Sequence, residues 1–149
     1  MEGVMREIVR FVALLLLFLA VPVRATIVRV EVSIANQTAT VFEDNVQTQQ
    51  WAVSTGRPGH DTHKGTFTVT YMDKHHRSSI YKSKRTGIGS PMPYAVFYDG
   101  DRALHGTTDV NRLGTPASHG CVRLHPDNAE TFFNIVTRVG KQNVTIIVS

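Results

Sequence analysis

From Thr26 to Ser149 the chain switches again and again between apolar and polar residues with a period of two. Val28, Val30, Val32 and Ile34 fall on one face, while Arg29, Glu31 and Ser33 fall on the other. That is the pattern of a strand with one side in a core and one in water. The runs "TATVF", "VQTQQWAVS", "TFTVTYM", "YAVFYDG", "ALHG" and the closing "NVTIIVS" read as further strands. One helix stands against them. In "HPDNAETFFNIVTRVG", Ala129, Phe132, Phe133, Val136 and Val139 recur at helical spacing, Pro126 and Asp127 suit the start, and Gly140 suits the end. The balance predicts a mostly β domain. Two loop stretches stand out, "TGRPGHDTHKG" and the 21 residues "DKHHRSSIYKSKRTGIGSPMP". A loop of more than ~12–15 residues in a compact domain is usually functional or disordered.

The first 25 residues follow another logic. Arg6 and Arg10 precede an almost wholly apolar run from Phe11 to Val23, and Val23 and Ala25 are spaced like the small residues before a signal-peptidase site. The run is shorter than the roughly 20 residues a membrane span needs. Residues 1–25 are therefore expected to be a secretory signal cleaved after Ala25, with an uncleaved N-terminal anchor as the other reading. Residues 26–149 have the length of one domain. The formal charge of the chain is +4, too mild an excess to argue for nucleic acid, and neither a basic helix nor zinc-finger spacing is present.

Export changes the meaning of Cys121, the single cysteine. Exported thiols normally pair or disappear, because that compartment oxidises them, and a lone one is either paired between chains or reactive. Near neutral pH only a few per cent of an ordinary thiol is thiolate, so a reactive Cys121 needs a base. His105 and His119 are the candidates. His119 lies two residues before the thiol; on a strand that shares a face, whereas in a tight turn the geometry stays open. His105 ends a predicted strand 16 residues upstream. A loop starting at Gly106 can return the chain to it, and the Gly106 carbonyl can accept from one ring nitrogen and leave the other free as base. Gly120 suits a sharp turn whose N–H groups face a developing oxyanion. Arg123 offers a fork for a carboxylate. Nucleophile, base, oxyanion donors and carboxylate clamp together describe acyl transfer through a thioester.

At this point the residues resemble a family. His105-Gly106-Thr107, then Ser118-His119-Gly120-Cys121, then Val122-Arg123, is similar to the signature of the bacterial cell-wall L,D-transpeptidases with the YkuD-type catalytic domain. "VSTGRPGHDTHKGTFTV" and "PMPYAVFYDGDRALHGT" extend the resemblance over nearly all of residues 26–149. One position departs: His63 follows Thr62 where the family usually has Pro. The resemblance implies two mixed β-sheets packed as a sandwich with one small helical part, and no metal or organic cofactor. It implies that Cys121 attacks the third, L-centred residue of a peptidoglycan stem tetrapeptide and releases D-Ala. The acyl group then passes to an amine, giving a 3→3 crosslink or a link to an outer-membrane protein or lipoprotein. His105 would be base and acid, with Gly106 orienting it. His119, Gly120 and Cys121 would form the oxyanion pocket. Arg123, Ser118 and Tyr94 would face substrate. The expected location is the periplasm or cell envelope.

Three other readings compete. A hydrolase would cut the same bonds with the same thiol. A zinc hydrolase would draw on His60, His63, His75, His76 and His125, but these lie in loops without HExxH spacing. A wall-binding module would use Lys82, Lys84 and Arg85 with Tyr81 and Tyr94, and would have no need of a lone thiol.

Overall fold

The computed structural model describes residues 24–82 and 84–149. The expected signal segment lies outside the described residues except for Arg24 and Ala25. Eleven strands and one α-helix make up the described chain: β1 (Val28–Ser33), β2 (Thr38–Glu43), β3 (Val46–Ala52), β4 (Gly65–Thr68), β5 (Tyr71–Asp73), β6 (Arg77–Lys82), β7 (Gly89–Pro91), β8 (Ala95–Asp99), β9 (Arg102–Gly106), β10 (Val122–Leu124), α1 (Pro126–Val139) and β11 (Val144–Val148). Among the described residues, no helix is long and apolar enough to cross a membrane.

Two mixed sheets carry the fold. The first has the order β3-β2-β1-β11-β4, and the second β10-β9-β8-β5. In the first, β1 pairs parallel with β11 while the other neighbours are antiparallel. In the second, β9 pairs parallel with β10. The alternation of β1 is realised as expected: Val28, Val30 and Val32 are buried and Glu31 is exposed. They join Val144, Ile146 and Val148 of β11, Val96 of β8, Leu104 of β9 and Val122 and Leu124 of β10 in one core between the sheets. The expected sandwich is present, and a third sheet is added to it. The hairpin β6-β7 occupies the stretch expected to be irregular. Both its faces are largely exposed, so it carries no apolar alternation to announce it.

Local chemistry explains the joints. Asp44 and Asn45 both have positive φ, 48° and 68°, which makes the two-residue turn between β2 and β3 the kind that matches strand twist. The run "TFTVTYM" is not one strand. It breaks at Val69 and Thr70, so that β4 pairs with β11 in the first sheet and β5 pairs with β8 in the second. The Thr70 N–H, bonded to the Phe97 carbonyl at 2.9 Å, fixes the change of sheet. Helix α1 starts as its sequence suggests: the His125 ring accepts from the Asp127 N–H, Pro126 occupies the first turn, and Gly140 ends it with φ 87°. Its buried side, Ala129, Phe132, Ile135 and Val136, joins the common core.

Phe132 is fully buried and among the largest such side chains. Phe132→Ala is expected to cost ~3–5 kcal/mol of unfolding free energy. Urea denaturation followed by fluorescence of Trp51 checks it; a loss under about 1 kcal/mol would contradict this core.

Candidate active site

The parallel pairing of β9 and β10 assembles the site. Arg123 is in register with His105 and Val122 with Leu104. Carrying that register back one residue sets Cys121 beside Ala103, two positions before His105 on the same side of the sheet. Val122 and Leu124 point the other way, into the core. Cys121, His105, His119 and Arg123 line one cleft of about 490 Å³, together with residues of β6, β7 and β8. The thiol is half-buried rather than sealed, and it packs against Met92, Ala95, Phe97 and Ala103.

His105 is buried, and its Nδ1 lies 2.7 Å from the Gly106 carbonyl oxygen. A carbonyl only accepts, so the proton sits on Nδ1 and Nε2 keeps its lone pair. Gly106 is held in turn, with its N–H donating to the Pro93 carbonyl at 2.8 Å. A Cβ at Gly106 would lie 3.0 Å from Pro93 Cγ and 3.2 Å from the Pro126 Cα, so the close approach requires glycine. Burial pushes the His105 pKa down to about 4 against the smaller opposing effect of the Gly106 bond. Burial also pushes the Cys121 thiol up, with help from the Asp101 charge, while a backbone hydrogen bond from Ala103 and the charges of Arg102 and Arg123 oppose it. The free site therefore rests as neutral thiol and neutral imidazole.

The Ser118–Cys121 turn is braced from all sides. Ser54 and Arg123 exchange backbone hydrogen bonds of 2.9 and 3.0 Å. The Ser118 N–H donates to the Thr55 carbonyl, and the Ser118 carbonyl accepts from the Arg57 N–H. Gly120 has φ 118°, where a side chain is strained. Its N–H donates to Ser118 Oγ at 3.0 Å, and the Ser118 hydroxyl donates to the Cys121 carbonyl at 2.5 Å. Two expectations are corrected here. The Gly120 N–H is occupied by Ser118 and is not a free oxyanion donor. Ser118 lines the cleft but is 1% exposed with its hydroxyl engaged inside the turn, so that hydroxyl braces the turn rather than meeting substrate. The N–H groups of His119 and Cys121 have no acceptor among the described residues and are available to a ligand.

Tyr94 is the third correction. It does not line the cleft. Its ring meets Phe133 of α1 edge-on at 5.8 Å, and a hydrogen bond from its hydroxyl to Glu130 pushes its pKa up. It adopts φ 56° at the turn that presents Pro93 to Gly106, so its contribution to the site is through that turn. Tyr81 does reach the cleft, where its ring stacks on His119 at 4.0 Å. His60 also meets His119 edge-on at 4.8 Å. Burial lowers the His119 pKa, reinforced by the Arg57 charge, then His60 and Arg123. Arg123 is loosely paired with Asp109 at 3.8 Å and keeps its guanidinium in the cleft.

The sequence reading missed Asp101, Asp109 and the Ser78–Tyr81 edge of the hairpin as cleft residues. The length of the loop 73–93 hinted at the hairpin edge alone, and Tyr81 reads from sequence only as part of a wall-binding module. Of the other histidines, His63 pairs with Asp99 at 2.9 Å, and His76, at the cleft, pairs with Asp73 at 3.1 Å. Among the described residues no three His, Cys, Asp or Glu side chains are grouped to hold a metal.

Residues 27–147 match the YkuD family, the L,D-transpeptidase catalytic domain. The chain belongs to this family. No curated protein sequence matches it. Among solved structures it is similar to an L,D-transpeptidase from Mycobacterium smegmatis, with TM-score 0.73 and 27% identity over 83% of this chain and 59% of that one. It is similar also to the L,D-transpeptidase LdtMt1 in complex with imipenem, with TM-score 0.72 and 25% identity over 83% and 59%. A third likeness is to an L,D-transpeptidase from Mycobacterium tuberculosis H37Rv, with TM-score 0.71 and 25% identity over 83% and 58%. The chain thus spans about three fifths of the length of these relatives. The transpeptidase catalytic domain accounts for both mixed sheets and for the strand pair that carries the thiol and the imidazole.

The depressed His105 pKa has a consequence for stability. The unfolded ring binds a proton below about 6.5, while the folded ring binds one only below about 4. The unfolded state therefore gains protons first as pH falls, and stability is lost between those values. His105 should account for about 3 kcal/mol of that loss. Unfolding free energies of wild type and His105→Gln at pH 7 and pH 4 check it: the wild type should show the larger drop, and parallel curves would refute a buried neutral ring.

Proposed function

We propose that this chain is an exported cysteine transpeptidase acting on peptidoglycan stem peptides. The observation that carries the reading is the His105 imidazole, fixed by Gly106 with Nε2 unprotonated, in the same cleft and on the same sheet face as the single thiol. Membership of the L,D-transpeptidase catalytic domain family supports the reaction class. Export rests on the charge and apolarity of residues 1–25.

The donor stem lies in the cleft under the β6-β7 hairpin, with a carboxylate on Arg123 in place of Asp109. Cys121 Sγ attacks the carbonyl carbon of the third residue while its proton moves to His105 Nε2. Negative charge on the acyl oxygen is met by the His119 and Cys121 N–H groups. The C–N bond to D-Ala breaks, and His105 returns the proton to the departing amine. A ring whose pKa is held low gives up that proton readily. An acceptor amine then attacks the thioester, loses a proton to His105 and forms the new C–N bond; the S–C bond breaks and the proton returns to sulfur. A second stem's side-chain amine gives a 3→3 crosslink. The Gly106 carbonyl stabilises the imidazolium in both halves.

Purified muropeptides incubated with the protein, followed by mass analysis, test the proposal. Wild type should release D-Ala and form a crosslinked dimer, whose mass identifies the acceptor. Cys121→Ala should lose turnover altogether while unfolding at nearly the wild-type temperature, and His105→Ala should be slower by about 10²–10⁴. Turnover retained by Cys121→Ala would end the proposal.

A structural relative binds imipenem. A carbapenem should likewise acylate Cys121 through the activated thiol and oxyanion pocket. Intact-mass spectrometry should show one adduct, absent from Cys121→Ala; active protein without an adduct would contradict the pocket assigned above.

A further inference from the structure

Thr62 sits in the loop "TGRPGHDTHKG", away from the thiol in sequence, yet it is buried at 5% exposure. Its hydroxyl has two partners. It accepts from the Gly56 N–H at 2.9 Å and donates to the Gly120 carbonyl at 2.9 Å. The first bond occupies a lone pair and leaves the single hydroxyl proton for the second, so the direction of donation is fixed. Gly120 has no side chain that could fix this linkage itself, and its φ of 118° is a conformation that glycine adopts and L side chains rarely do.

The Gly120 carbonyl and the Cys121 N–H belong to one peptide group. That group is planar and trans, so its C=O and N–H point in opposite directions. Anchoring the oxygen on the Thr62 side aims the hydrogen away from it. Polarising the carbonyl also makes the N–H a stronger donor. The preceding donor is treated in the same way, because the Ser118 carbonyl, on the peptide that carries the His119 N–H, accepts from the Arg57 N–H at 3.0 Å. Both oxyanion donors are thus backed by a bond to the segment between Gly56 and Thr62. Only the bond to Gly120 comes from a side chain and can be removed by substitution.

We propose that Thr62 is a positioning residue for acyl transfer: its hydroxyl, through the Gly120–Cys121 peptide plane, aims the Cys121 N–H at the oxygen that becomes negative. The inference rests on the transpeptidase reading and adds to it a residue remote from the substrate. It also separates two kinds of chemistry at one sulfur. Acylation by a carbonyl compound builds charge on oxygen and uses the N–H. Alkylation by iodoacetamide displaces iodide at a saturated carbon, with no oxyanion to stabilise.

Thr62→Val and Thr62→Ala lack the hydroxyl, and Thr62→Ser keeps it. The rates of Cys121 acylation by imipenem and of alkylation by iodoacetamide are followed by intact mass on the full chain, alongside kcat and KM on muropeptides. Loss of a whole oxyanion donor typically costs ~10²–10³. A misaimed one should cost less, so acylation and kcat should fall about tenfold in Thr62→Ala and Thr62→Val. KM and alkylation should stay within about twofold, and Thr62→Ser should stay within about threefold of wild type. Should Thr62→Val fail to fold, the ratio of the Ser to the Ala variant carries the same test. Equal acylation rates in all variants would overturn the inference while leaving the transpeptidase reading intact. Parallel loss of acylation and alkylation would also overturn it, by making Thr62 a plain structural brace. Wild type inert towards both imipenem and muropeptides would overturn the transpeptidase reading first, and this inference with it.

Discussion

Everything at the site depends on two short strands running parallel. Parallel neighbours cannot be joined by a tight turn; they need a crossover of a dozen or more residues. Between the end of β9 at Gly106 and the start of β10 at Val122 the chain makes that crossover, through the loop "TTDVNRLGTPASHGC". The 16-residue spacing of His105 and Cys121 is the length of the excursion. Once β10 lies beside β9, the register sets His105 level with Arg123, and the two-residue period puts thiol, imidazole and guanidinium on one face. The opposite face, with Leu104, Val122 and Leu124 fully buried, is what makes the register costly to shift: a slip of one residue would expose the core and bury the charges.

The site's electrostatics follow from the same placement. His105 lies on β9 between β8 and β10, and Cys121 packs against the apolar cluster of Met92, Ala95, Phe97 and Ala103, so both are driven towards their uncharged forms. The His105 ring is fixed in tautomer and orientation by Gly106, and neither it nor the thiol favours its charged form. The turn before β10 supplies the complementary part. Ser118, Thr55, Arg57 and Thr62 use up its inward-facing groups and leave the donors of His119 and Cys121 without an acceptor among the described residues.

Much of this was legible beforehand because it rests on local chemistry. Helix α1 starts and stops where Pro126, Asp127 and Gly140 place it, and the bond between the His105 ring and the Gly106 carbonyl was foreseeable from two adjacent residues. The β6-β7 hairpin was not legible, because it packs on no core and so shows no period. Tyr94 and Ser118 misled for a shared reason. Each lies in a stretch that carries the family resemblance, yet position in a motif does not say which way a side chain turns. Tyr94 turns to Phe133 and Glu130 on α1; Ser118 turns inward to close its own turn. His63, the departure from the family pattern, finds Asp99 as a partner and leaves the neighbouring Thr62 bonds in place.

The sequence by itself determined the elements and the reactive atoms: strand periods, helix caps, one cysteine, and the histidine that could serve it. These are properties of residues within a few positions of one another. Only the tertiary structure decided which groups remain available for chemistry. A hydroxyl or an N–H is free or occupied according to what lies within about 3 Å of it. For Gly120, Ser118 and Thr62 those partners come from distant loops, as with Thr62 and Gly120, 58 residues apart in the chain.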